Sequence, residues 1–281
     1  MKKIKSLLEA QREFATQEQC EAHLERMRWP NGVTCPRCGS KGAHYMESRR
    51  KWQCSCKYQF SVIAGTIFHK THIDLPRWML AVWLMCHSPK GISSKQLERD
   101  LGVTYKTAWY MSKRIRQAMI NERAEVKLSG IIEMDDAVVK ADGGRAKGRS
   151  MSNAKLVLGM ASRDGDIKLQ IVNSLTHQEI RRVFAKNVDY VKAIYTDGHP
   201  SFQGMEELAP HSYVVHQKQW VDGDVHVSFV ENAWSLFKRG LIGLYHHVST
   251  KYLQDYLDEF CFRYSHRDHK EQLMNLVLQS C

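Results

Sequence analysis

Three carboxylates and one lysine stand where this chain can most readily build chemistry. Asp135 follows the apolar, β-rich run Gly130–Met134, and Asp197 follows Ala193–Tyr195 after a single threonine. Each is expected to close a strand. In α/β proteins ligands bind beyond the carboxyl ends of the strands, so an aspartate placed there faces substrate. The third element is the segment Val227–Arg239, VSFVENAWSLFKR. Read as a helix, it sets Ser228, Glu231, Ser235 and Lys238 on one face and Phe229, Ala233, Leu236 and Phe237 on a largely opposite one. Glu231 and Lys238 are then about 10 Å apart along the axis, at ~1.5 Å per residue. They are too far apart to pair, but suitably spaced for two phosphates of one nucleic-acid strand. Three such carboxylates suit two Mg²⁺ ions, hard cations that prefer carboxylate oxygen, with Mn²⁺ as the alternative. Held about 4 Å apart, such ions activate a water or a 3′-hydroxyl and stabilise the leaving oxygen of an in-line phosphoryl displacement. Residue types alone leave a plainer reading open, in which each aspartate caps a strand end and Glu231 is a solvated helix residue.

A second chemistry is carried by cysteine. Four of the eight cysteines form two tight pairs, Cys35-Pro-Arg-Cys38 and Cys54-Ser-Cys56, with fifteen residues between them. In a reducing compartment this layout reads as two knuckles converging on one tetrahedral Zn²⁺ rather than as disulfides. The second knuckle is C-x-C where ribbons usually have C-x₂-C. Short alternating stretches at His44-Tyr45, Lys51–Gln53 and Tyr58–Val62 read as ribbon strands. The remaining cysteines, Cys20, Cys86, Cys261 and Cys281, are expected to be ordinary thiols.

The elements that would position these residues follow from pattern and charge. At 281 residues, 43% hydrophobic and 25% charged, the chain has the composition of globular domains and not of a disordered or collagenous one. Its longest apolar run, Trp78–Cys86, falls far short of the roughly 20 residues of a membrane helix. The N-terminus lacks the pattern of a signal peptide, so a cytoplasmic protein is expected. Residues 1–120 hold 21 lysines and arginines against nine acidic residues, and the remainder holds 20 against 21, so the whole net charge of +11 lies in the first part. A basic head before a near-neutral body is the electrostatic pattern of polyanion binding, although a solvated basic face has the same composition.

Within the head, Asp74 and Pro76 are expected to start one helix, Ser93–Gln96 to cap a second, and Gly102 to separate it from a third that begins at Thr104 and runs to about Met119. On the third, Ala108, Met111, Ile115 and Met119 face inward. Lys106, Tyr110, Lys113 and Gln117, with Arg116 beside them, are expected to meet DNA in a helix-turn-helix. Strands near 130–134, 156–161, 167–172, 193–195 and 213–215, with helices at 178–186, 230–239 and 251–264, give an α/β body with a mixed sheet. Its Gly-rich loop, Lys140–Lys155, offers Arg145, Lys147 and Arg149 as further DNA contacts.

These motifs, in this order, resemble a bacterial DDE-type insertion-sequence transposase with an N-terminal zinc ribbon, of the insertion-sequence fifteen-ninety-five group. The stretches carrying the likeness are CPRCG, WQCSCKYQFSVIAGTIFHKTHIDLPRW, KGISSKQLERDLGVTYKTAWYMSKRIR, IIEMDDAVV, IYTDGHPSF and HVSFVENAWSLFKRGLIGLYHHVSTKYLQDYLDEFCFRYSHR. The resemblance implies a multidomain α/β chain with a helical segment at 1–30, a zinc ribbon at 31–70, a helix-turn-helix at 71–120, a linker at 121–129 and a ribonuclease-H-like DDE domain at 130–281. It matches Asp135 and Asp197 to the two catalytic aspartates, and Glu231 with Lys238 to an E-x₆-K helix whose lysine holds a transposon-end phosphate. Relatives often carry Glu where this chain has Asp136, and Asn where it has Ser228, so Ser228, Asn232 and His226 are further candidates for completing the site. The expected activity is binding of double-stranded terminal inverted repeats, then Mg²⁺-dependent strand cleavage and transfer. The assembly on DNA would be a homodimer or larger, in the bacterial cytoplasm near the nucleoid. Two alternatives use the same residues: an inactive, transposase-derived DNA-binding regulator, and a ribonuclease-H-like nuclease or resolvase.

Overall fold

The computed structural model describes residues 4–140, 154–214 and 223–280. These residues divide into two compact units, one from residues 4–88, 92–122 and 269–280, the other from Pro89–Gly91 and the described residues between Arg123 and Asp268.

The first unit begins with helices α1 (Leu7–Glu13) and α2 (Gln17–Arg28). Thr16 caps α2 with its hydroxyl while Gln19 reaches back to the Thr16 amide, a complete capping box. An antiparallel three-stranded sheet follows, β1 (Ala43–Met46), β2 (Lys51–Cys54) and β3 (Gln59–Phe60). Helix α3 (Leu75–His87) is apolar around most of its circumference, with Trp78, Met79, Ala81, Val82 and Met85 fully buried, and so forms the centre of the unit. Asp74 does precede it, but its carboxylate pairs with Arg77 instead of capping the helix amides. Helix α4 (Ser94–Leu101) is capped by Ser93, whose Oγ accepts from Gln96 N, and ends at Gly102. Helix α5 (Tyr105–Arg123) buries Ala108, Met111, Ile115 and Met119. It overruns the expected end near Met119, so only Ala124–Lys127 separates it from the next strand, where a linker over 121–129 was expected. The last helix, α9 (Lys270–Gln279), which the sequence pattern did not mark, packs on α3 and α2, although its residues fell within the expected 130–281 body.

The second unit is a five-stranded mixed sheet. Its strands are β4 (Leu128–Lys140), β5 (Ala154–Ser162), β6 (Ile167–Val172), β7 (Val188–Asp197) and β8 (His211–Val214). Their order is β6-β5-β4-β7-β8, with β4, β5 and β6 antiparallel and β4, β7 and β8 parallel. Helix α6 (His177–Asn187) covers one face, burying Ile180, Val183 and Phe184 against Ile132, Met134, Leu158 and Ile194. Helices α7 (Ser228–Gly240) and α8 (Leu253–Ser265) cover the other, burying Val230, Trp234, Phe237 and Leu257 against Ala137, Val139, Val157 and Leu169. This is the ribonuclease-H-like mixed sheet with flanking helices. Among the described residues no helix is long and apolar enough to cross a membrane.

Candidate active site

Asp135 does not close its strand. β4 continues to Lys140 because β5 pairs with it along its whole outer half, with Asp135 opposite Gly159. What ends near Asp135 is the pairing with β7. The last parallel partners are Met134 and Thr196, and the next residue on each strand is Asp135 and Asp197. The two parallel strands therefore part at this pair of carboxylates, where ligands enter α/β sheets.

Strand alternation then decides which acids share a face. Ile132 and Met134 of β4 pack with Ile194 of β7 in the α6 core, while Ala137 and Val139 pack toward α7. Asp135 and Asp197 therefore lie on the α7 face, whereas Asp136 lies on the other, with its Oδ1 3.9 Å from His199 Nδ1. Asp135 Oδ1 accepts from the Asp136 amide at 2.8 Å, and Asp197 Oδ1 from the His199 amide at 3.2 Å. Burial first, and the Asp197 carboxylate second, push the Asp135 carboxyl up to about 7, with Asp136 and Glu231 adding to the rise. The site thus gathers negative charge in a partly desolvated place, a donor set suited to a divalent cation. The carboxylates are more loosely gathered than a closed metal cage. Among the described residues the only group of three or more such ligands with all atoms within 4.8 Å of one another is the cysteine cluster.

Helix α7 brings the third carboxylate. Ser228, Asn232, Ser235 and Lys238 are exposed and Glu231 is partly buried, while the buried stripe is Val230, Ala233, Trp234 and Phe237, with the expected Phe229 and Leu236 only partly buried. Two residues that the sequence reading missed seat this helix. A Cβ on Gly159 would lie 2.6 Å from Trp234 Cζ2 and 2.8 Å from Val230 Cγ2. The bare backbone opposite Asp135 is what lets α7 lie this close to the sheet. Glu133, two residues before Asp135 and 0% exposed, accepts from the Phe229 amide at 2.8 Å and lies 3.2 Å from His226 Nδ1 and 3.3 Å from Arg163 Nε. Val227 offers no side-chain cap, so this strand carboxylate takes a free amide of the helix's first turn. His226 Nδ1 is also 2.7 Å from Ser228 Oγ. An acid inside the apolar run Ile131–Met134 was the available signal for Glu133; nothing local marked Gly159.

In the first unit the Sγ atoms of Cys35, Cys38, Cys54 and Cys56 all lie within 4.8 Å of one another, with Cys35–Cys56 at 3.8 Å and Cys38–Cys54 at 3.6 Å. Tetrahedral Zn–S bonds of ~2.3 Å place sulfurs at about this spacing, so the cluster fits a structural Zn²⁺. Both knuckles close alike. Gly39 N donates to Cys35 O with Gly39 at φ 72°, and Lys57 N donates to Cys54 O with Lys57 at φ 64°. The shorter C-x-C knuckle keeps the same closing bond by placing a lysine in the left-handed region. The Cys56 amide, foremost, holds the Cys54 thiol down while its partner Cys38 is held up, so a bound zinc would displace the remaining thiol protons of the cluster.

On α5, Lys106, Tyr110, Lys113 and Gln117 are exposed on one side. Arg116 is not with them: it is 3% exposed, with Nη1 3.4 Å from Ser112 Oγ. It follows Ile115 and falls on the inward half of the helix, so the expectation that it contacts DNA alongside the exposed residues is corrected: Arg116 is buried. Arg114 stands over the Tyr110 ring and donates to its hydroxyl at 2.7 Å, stiffening the exposed side. Arg145, Lys147 and Arg149 lie outside the described residues, as does Val215, expected at the end of β8.

Residues 127–265 match the family of the ISXO2-like transposase domain, and residues 15–59 that of the transposase zinc-ribbon domain. A Halobacterium salinarum protein named as an uncharacterized protein in transposable element ISH50 is 29% identical over 276 residues, spanning 89% of this chain and 91% of its own length.

Proposed function

Because the chain belongs to the family of transposases with an ISXO2-like domain and a transposase zinc ribbon, we propose that it cuts and joins DNA at the ends of its own insertion sequence. The observation carrying this reading is the meeting of Asp135 and Asp197 where parallel β4 and β7 part, with Glu231 of α7 acting on the same carboxyl. Asp135, Asp197 and Glu231 would hold Mg²⁺, or Mn²⁺, on their hard oxygen donors. The bound metal supplies charge neutralisation and an activated water or 3′-hydroxyl for in-line displacement at phosphorus.

The protein's own part is positional. Asp135 and Asp197 are fixed by their amide hydrogen bonds, and Glu231 by the seating of α7 on Gly159 and Glu133. Lys238, exposed in the last turn of the same helix, would bind a phosphate further along the strand. Exposed Lys106, Tyr110, Lys113 and Gln117 would bind terminal inverted repeats in a helix-turn-helix manner. The ribbon would add a second contact, and synapsis of two ends implies a homodimer or larger on DNA.

Incubating the full chain with its element's terminal repeats and Mg²⁺ tests this. Nicking and strand transfer are expected, with Asp135→Asn inactive while still binding the repeats. Activity surviving that substitution would overturn the assignment. Repeat binding by a wild type that never cleaves would favour the regulator reading, and a demand for branched or hybrid substrates the nuclease reading.

A further inference from the structure

Asp197 has a second neighbourhood that strand chemistry at Asp135 leaves unused. A cavity of about 320 Å³ opens beside it at the carboxyl ends of β7 and β8. Its volume lies near the lower limit for small-ligand sites, about 300 to 1,000 Å³, and suits one planar group. Among its lining residues there is no lysine or arginine, and Asp197 and Glu206 both belong to the lining. A phosphate there would meet the Glu206 carboxylate with no lysine or arginine to offset it.

The remaining lining favours a flat ring carrying N–H donors. Phe202, 1% exposed, gives an apolar floor, and Tyr213, 60% exposed, stands beside His211 with ring centroids 6.2 Å apart. His211 is held from two sides: its Nε2 is 2.9 Å from Thr196 Oγ1 and its Nδ1 3.6 Å from Glu206 Oε2. The backbone amide of Glu206, foremost, and then His211 keep the Glu206 carboxyl below its ordinary range, so it is an acceptor at neutral pH. Gln203 adds an amide with both a donor and an acceptor.

We infer that this cavity receives a nucleobase with an exocyclic amino group, turned out of the duplex from a nucleotide flanking the phosphate held at Asp135 and Asp197. Tyr213 stacks on the base and Glu206 accepts from its amino group. The inference rests on the strand-cleavage reading above and adds to it a device that sets which phosphodiester is cut. Enzymes that extrude a base hold it by stacking and by hydrogen bonds to its edge, the two resources this cavity combines. Thymine, which lacks an exocyclic amino group, is the poorest occupant.

The experiment uses the full chain and a duplex of its element's terminal repeat, with 2-aminopurine replacing in turn each nucleotide flanking the cleaved phosphate. Binding is expected to raise fluorescence at one of these positions. Tyr213→Ala, at an exposed site, should abolish the rise and slow cleavage about 10-fold or more. An abasic nucleotide at the responsive position should erase the difference between variant and wild type. Glu206→Gln should instead reduce discrimination against thymine there. Cleavage by the wild type with no fluorescence change at any flanking position, or a Tyr213→Ala variant that cleaves normally, would overturn the assignment of the cavity and leave strand cleavage standing. A wild type that binds but never cleaves with Mg²⁺ would remove the reading beneath it and this inference together.

Discussion

Asp135 is the residue on which burial and like charge converge. Its carboxyl titrates near 7 in the folded protein, against about 4 in an unfolded chain. Between those values the folded state holds a proton that the unfolded state has lost, so this group lowers stability as pH rises through the window. Thermal melts of the metal-free protein should show that fall between about pH 4 and 7, and Asp135→Asn should flatten it. Because a cation competes with the same proton, the half-saturating Mg²⁺ concentration should decrease up to about pH 7 and then level, as read from cleavage rates. Glu133 belongs to the same scale. Its carboxylate accepts from the Phe229 amide and from Arg163 Nε and lies 3.2 Å from His226 Nδ1, and Glu133→Gln would turn an N–H toward one of these donors, costing about 1–3 kcal/mol. Faster hydrogen exchange at the Phe229 amide and slower cleavage with unchanged repeat affinity are the expected results.

At the scale of elements, α7 reaches the sheet only because β5 offers no side chain opposite Asp135. Gly159→Ala would press on Trp234 and Val230, which sit in the tightly packed core, at a cost of about 1–3 kcal/mol. The variant is expected to melt lower in calorimetry and to lose cleavage out of proportion to its stability, since Glu231 moves with the helix. In the ribbon the buried cluster is Cys35, Cys54, Phe60 and Ala64, with Trp29, Val33, Ala43, Trp52 and Tyr58 packed partly buried around it, a small core for three short strands that a bound metal would reinforce. Cys56→Ser or chelation should remove zinc from the purified protein, measured by metal analysis, and unfold the ribbon strands while the five-stranded sheet survives.

At the scale of the whole molecule, the uneven charge is a prediction about association. The excess of lysine and arginine over residues 1–120 should make repeat binding fall steeply with salt, because each neutralised phosphate releases counterion. Lys106→Ala and Lys113→Ala together should each reduce the slope of log K against log salt by about 1. A buried Arg116 adds nothing to that slope, and its replacement should register in the melting temperature instead.

What the chain states on its own is what depends on near neighbours. The cysteine knuckles, the two faces of α7, the inward stripe of α5 and the succession of strands and helices are periodic or short-range patterns, so they were legible before any coordinates. Pairing between distant segments decided the rest. Register with β5 and β7, not the end of an apolar run, placed Asp135 on the α7 face and Asp136 on the other. The bond from Glu133 to the Phe229 amide spans ninety-six residues, and the hole at Gly159 has meaning only once Trp234 fills it. A side chain's exposure is likewise a sum over neighbours from other elements, which is why Arg116 reads as a surface cation in sequence and is buried in the fold.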